Sequence, residues 1–146
     1  MRKRYLKIVV VLLCFLMLCS IPTHAYALEP YASSQISAHS ATLDKGSDGY
    51  LYVMFTIDTN RVMNILGASN VVIQRYSLFQ WVNEHIITPE EIPELLITNA
   101  GSHALIISYD PLFPNATYRA IVNFYAESDT MISTAKETTN TVPKTA

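Results

Sequence analysis

The sequence predicts an all-β protein, a β-sandwich of about seven strands with one short helical turn. Three observations carry this expectation. From Tyr31 onward, apolar and polar residues alternate in short runs, the period-two pattern of strands with one buried face. Clusters of Gly, Asp, Asn, Ser and Pro break these runs at short intervals, as the turns of a sandwich require. The one stretch with helix-start chemistry is cut by Pro93 within a turn of its beginning.

The first run, QISAHSATL (35–43), reads as a weak strand, and DKGSDG (44–49) supplies glycines, aspartates and a serine for a tight reversal. The clearest strand follows, YLYVMFTID (50–58), with Leu51, Val53, Phe55 and Ile57 on one face and Tyr50, Tyr52, Met54 and Thr56 on the other. TNRVMNILGAS (59–69) lacks strand spacing and is expected to close one end of the core. NVVIQRY (70–76) and WVNEHII (81–87) are expected to pair as a hairpin across SLFQ. In TPEEIPELL (88–96), Thr88 can cap, Pro89 suits the first helical position and Glu91 completes a capping box. Pro93 would cost about 3 kcal/mol in a helix interior, which limits this element to a single turn. HALIISY (103–109), TYRAIVNFYA (117–126) and the Thr-rich, edge-type MISTAKETTNTV (131–142) complete the strands.

Residues 1–27 carry Arg2, Lys3, Arg4 and Lys7, an apolar run from Ile8 to Leu18, and Ala25-Tyr26-Ala27. This is the anatomy of a secretory signal peptide cleaved after Ala27, and the apolar run is shorter than the roughly 20 residues of a membrane span. The expected mature chain is a single domain, residues 28–146, secreted to the extracellular space. Both cysteines, Cys14 and Cys19, leave with the leader, so the domain would fold without a disulfide, which favours a bacterial exporter over a eukaryotic one. Loss of the four basic residues takes the formal net charge from -2 to -6. An acidic chain with scattered bases argues against nucleic acid as a partner and against anionic membrane surfaces once the signal is removed.

LFPNATYRAIVNFYA (112–126) contains the glycosylation triplet Asn115-Ala116-Thr117, read here as a coincidence in a bacterial-type exported chain. The same stretch has the order of a sandwich tyrosine corner, in which a tyrosine at the start of a strand hydrogen-bonds the backbone upstream of it. Tyr118 takes that place, Leu112 is expected to anchor the loop in the core and Pro114 to stiffen it. The spacing Leu-x-Pro-x-x-x-Tyr-x-Ala-x-Val resembles fibronectin type III domains, the cysteine-free branch of the immunoglobulin-like fold, since Ala120 stands where antibody domains have their second cysteine.

A wider resemblance covers nearly all of the expected mature chain. LEPYASSQISAHSATL, GYLYVMFTI, NILGASNVVIQR and NATYRAIVNFYAE, in that order, resemble a family of small secreted proteins of unknown function from Gram-positive, spore-forming bacteria. The resemblance implies a secreted, cysteine-free, immunoglobulin-like domain with no established activity and no catalytic residues to carry over.

His39, His85 and His103 fall on separate segments without metal-ligand spacing, and the stretch Asp44 to Phe55 lacks the closing glutamate of a calcium loop. Ser102, His103 and Asp110 invite a triad, but strand neighbours point to opposite faces. Neither a metal, another cofactor nor catalysis is therefore expected. The feature most open to binding is aromatic, with Tyr50, Tyr52 and Tyr125 on outer sheet faces. The expected function is a non-catalytic extracellular binding or adhesion module for a cell-wall or host-surface ligand. The alternatives are a structural envelope or matrix component associating through edge strands and, third, an enzyme on a β scaffold.

Overall fold

The computed structural model describes residues 35–143, all within the compact unit Ser33–Ala146. The expected signal peptide lies outside the described residues. Six strands and one 3-10 turn appear in the order β1 (Ile36–Lys45), β2 (Leu51–Ser77), β3 (Gln80–Ile87), the turn Pro93–Leu95, β4 (Leu96–Tyr109), β5 (Tyr118–Ser128) and β6 (Met131–Thr138). All pairings are antiparallel, and they form one open, curled sheet rather than seven separate strands.

The reduction from seven strands to six comes from β2. Residues 59–69, expected to be irregular, are part of one 27-residue strand. The alternation test misses it because the pairing slips twice: between Asp58 and Met63 against β4, and between Ala68 and Asn70 against β5. The inward phase changes between Met63 and Leu66 and again between Ala68 and Val71, so Ile57, Met63, Leu66, Ala68, Val71 and Ile73 are all buried although no single period of two connects them.

Both sides of β2 are used along its length. On one side β1 pairs with Leu51–Thr59 and β5 with Ile65–Arg75. On the other, β4 pairs with Leu51–Gly67 and β3 with Val71–Ser77. Strands β3 and β4 thus run as one interrupted partner of β2, leaving it after Ile87 and rejoining at Leu96. The excursion between them holds the helical turn, which begins at Pro93 instead of ending there. Thr88 accepts at its carbonyl the backbone N–H groups of Glu91 and Ile92, a turn rather than the expected capped helix start, and Pro93 opens the 3-10 turn at its first positions.

Gly67 makes the bend possible. Its φ is +150°, and a Cβ there would lie 1.9 Å from the carbonyl oxygen of Leu95, where the excursion returns to the sheet. Folding β2 over this point brings its halves face to face, and Phe55 of the first half meets Phe124 of β5 edge-on at 5.8 Å. Leu43, Leu51, Val53, Leu95, Ile107, Tyr118 and Val122 fill the remaining core.

The curl also brings β1 beside β6, where side chains join the edges. Asn140 accepts the Leu43 N–H and donates to the Leu43 carbonyl, both at 2.9 Å, standing in for a strand residue. The Gln35 N–H donates to Ser133 Oγ at 3.2 Å.

Candidate binding site at the hairpin end

The β2–β3 hairpin forms as expected, but its turn has unexpected chemistry. Its two central residues are Leu78 and Phe79, with φ of 49° and 65°. A two-residue hairpin with both central φ values positive is the type I′ arrangement, for which Asn-Gly is the favoured pair. Leucine and phenylalanine occupy it with strain, and they are 87% and 93% exposed. Behind them Tyr76 and Trp81 pair across the strands with ring centroids 5.2 Å apart.

The loop between β4 and β5 lies against this hairpin. The Tyr76 N–H donates to the Thr117 carbonyl at 2.9 Å, and the Arg75 guanidinium lies 4.0 Å from the Phe113 ring centroid. Arg119 lies over Trp81 at 4.2 Å. Arg75 and residues 112–116 line an open groove of about 350 Å³. One end of the molecule therefore gathers the exposed apolar residues Leu78, Phe79, Leu112 and Phe113 with an aromatic pair and two arginines.

Glu84 holds this end together. It is the extra residue of a bulge, lying between the pairs Gln74–Asn83 and Ile73–His85, and the bulge turns its side chain inward until only 4% remains exposed. Its carboxylate accepts from Arg75 Nε at 2.9 Å, from the Tyr118 hydroxyl at 2.9 and 3.0 Å, from the Tyr109 hydroxyl at 3.2 Å and from the Leu112 N–H at 3.1 Å. Tyr118 also accepts the Phe113 N–H at 3.3 Å. A buried carboxylate with this many donors is a structural tie between β2, β3, β4, β5 and the loop.

One expectation for the loop is corrected. Leu112 is 73% exposed; the inward position is taken by Pro111, one residue earlier, while Leu112 is held by its backbone N–H. Pro114 is exposed, and its carbonyl accepts from Lys45 Nζ, so the loop is fixed by hydrogen bonds from several elements.

The proposed tyrosine face is not assembled. Tyr50 lies 41% exposed in the turn after β1, and Tyr52 donates its hydroxyl to Asp48 of the same turn. Tyr125 pairs with Gly67 and Thr134, far along β2 from Tyr52, and donates to Glu127. The histidines also stay apart: His39 faces Glu137 at 3.6 Å, His85 faces Glu91 at 3.0 Å and His103 contacts the Glu94 carbonyl at 2.8 Å. Among the described residues no three His, Cys, Asp or Glu side chains gather as metal ligands, and no helix is long and apolar enough to cross a membrane.

Sequence reasoning missed Glu84, Leu78 and Phe79. A two-residue turn holding Leu-Phe without Gly or Asn was the readable signal for the last two. A bulge that redirects a glutamate has no comparable signature. Comparison of the chain with models of protein families, with curated proteins and with solved structures finds no match in any of the three.

Proposed function

We propose that this chain is an exported, non-catalytic binding or adhesion module that docks through its hairpin end on a cell-wall or host-surface ligand. In this reading it is an immunoglobulin-like, fibronectin type III-like domain of the family of small secreted proteins its motifs resemble. The fold reading is supported by the antiparallel all-β architecture and by the Tyr118 hydroxyl bonded to the backbone five residues upstream. Secretion rests on the leader pattern of residues 1–27.

The observation that carries the binding reading is the Leu78–Phe79 turn. Two large apolar side chains in a strained backbone, exposed to water, lower the stability of the free protein, and strain of this kind persists where function uses it. The tip protrudes, so the ligand is a macromolecular surface with an apolar cleft able to take two side chains, rimmed by groups that accept from Arg75 or Arg119. The test is a pull-down of cell-wall material, mucin and host surface proteins with the exported chain and with the double variant Leu78→Asn/Phe79→Gly. Retention by the natural chain and its loss in the variant is the expected outcome. Equal retention by both would remove the hairpin end from the function.

A further inference from the structure

The outer face of the sheet carries a second recess, separate from the groove at the hairpin end. Asn70 of β2 pairs with Asn123 of β5, and Asn123 pairs with Lys136 of β6, so three polar side chains stand in one row across three strands. They point outward, because Val122 and Phe124 on either side of Asn123 are buried. Ser69 is the extra residue of the bulge beside this row, and its hydroxyl donates to the Asn123 carbonyl at 3.1 Å, which pins the slip in place. With Thr134 these residues line an open recess of about 610 Å³.

The row holds unused hydrogen-bonding capacity of a definite kind. Asn123 donates its side-chain amide to Asn70 Oδ1 at 2.6 Å, which fixes both side chains and leaves the Asn70 amide to donate and Asn123 Oδ1 to accept. Of the five bases among the described residues, Lys45, Arg61, Arg75 and Arg119 have partners in the Pro114 carbonyl, the Ser128 hydroxyl, Glu84 and Gln74. Among the described residues Lys136 alone of these bases has neither a hydrogen bond nor an ion pair. On the same face Ile121 and Tyr125 flank Asn123 along β5, and Tyr125 has Gly67 opposite it on β2, so no β2 side chain stands directly across from its ring.

We propose that this row binds a sugar that bears a carboxylate. Lys136 takes the carboxylate in a charge-assisted contact, the Asn70 amide and Asn123 Oδ1 take neighbouring hydroxyls, and the Tyr125 ring receives an apolar face of the pyranose. Three observations select this occupant. A single base matches a single negative charge, whereas a phosphate chain draws on several. A donor and an acceptor held side by side match hydroxyl groups, which both donate and accept. Finally, β5 is paired on both sides, with β2 and β6, so the row offers no free backbone edge to an extended peptide and recognition falls to side chains. The site uses neither Leu78 nor Phe79, so this reading and the hairpin reading can fail separately.

The test is an NMR titration of the isotope-labelled exported chain with two acidic probes, N-acetylmuramic acid for a cell-wall source and N-acetylneuraminic acid for a mucin source. N-acetylglucosamine, which lacks the carboxylate, and acetate, which lacks the sugar, are the controls. Saturable shifts at Asn70, Asn123, Tyr125 and Lys136 are expected with an acidic probe, at an affinity at least about tenfold above both controls, and the tighter probe identifies the source. Lys136→Gln lowers that affinity about tenfold while Lys136→Arg retains most of it, and both variants keep the natural melting temperature because the side chain is exposed. Absence of shifts with both acidic probes overturns the proposal, as does equal binding of N-acetylglucosamine, acetate bound as tightly as the acidic sugars, or indifference to Lys136→Gln. Leu78→Asn/Phe79→Gly leaves the titration unchanged; loss of sugar binding in that variant would move the site to the hairpin end and overturn the assignment.

Discussion

The hydroxyl of Tyr118, at the start of β5, donates to the carboxylate of Glu84, on the bulge of β3, at 2.9 Å. That contact links strands far apart in sequence and leaves the loop before β5 hung on the same two side chains. Tyr118→Phe removes a hydrogen bond to a charged group and leaves the Phe113 N–H without its acceptor, so a loss of about 2 kcal/mol is expected. Glu84→Ala leaves Arg75, Tyr109 and Tyr118 facing a vacated site and should cost about 3–5 kcal/mol. Urea unfolding of both variants measures the two costs, and a Tyr118→Phe protein as stable as the natural one would show the hydroxyl to be idle.

The Leu78–Phe79 turn leads to the opposite sign. Left-handed backbone costs a side-chain-bearing residue roughly 1–2 kcal/mol, and Asn-Gly is the pair best suited to these dihedrals. Leu78→Asn/Phe79→Gly is therefore expected to raise the melting temperature, with a net gain of about 2 kcal/mol. A lower melting temperature would mean that the tip packs on something within the chain.

Gly67 admits no larger residue. In Gly67→Ala the new methyl meets the Leu95 carbonyl, a backbone atom that cannot swing aside, at a φ unfavourable to alanine. A loss of about 3 kcal/mol or more is expected, read as a falling urea midpoint or as failure to accumulate in soluble form. Gly101→Ala, where the nearest atom is 3.9 Å away, serves as the tolerant comparison.

Alkaline pH should weaken the fold through the same cluster. Burial first and the Glu84 carboxylate second push the Tyr109 hydroxyl up from 10.0 to about 12, and burial followed by its hydrogen bond to Glu84 moves Tyr118 the same way. An unfolded tyrosine loses its proton near pH 10 while the folded one still holds it. The unfolded state then binds fewer protons, and stability falls as pH rises. The contribution is complete below pH 10 and is lost progressively above it. Urea midpoints across the alkaline range should show this decline, and Tyr109→Phe should flatten part of it.

Much of the fold was legible where one period of two held without interruption. The inward set Leu51, Val53, Phe55 and Ile57 and the run Tyr118, Ala120, Val122 and Phe124 are buried as their alternation implied. Legibility failed where an extra residue shifts the phase while leaving the strand continuous, as between Ala68 and Val71. The same physics hid Glu84, whose inward aim depends on one unpaired residue in β3. The hairpin was readable from its flanking strands, but its function-bearing feature lay in the mismatch between turn geometry and turn residues. Leu112 misled for a simpler reason: Pro111 beside it is apolar too and took the inward place.

The seam between β1 and β6 gives the molecule a mechanical direction. Gln35 joins it near the start of β6 and Leu43 just past its end, so the strands run parallel along the seam and the two ends of the described chain leave from opposite ends of it. Tension applied through those ends loads these bonds in shear, together rather than one after another. Because side chains carry them, with Asn140 standing in for a strand, they should yield before the ladders of β2. Under a steady pull β1 would slide free first, while the folded-over hairpin of β2, β3 and β4 still held its shape.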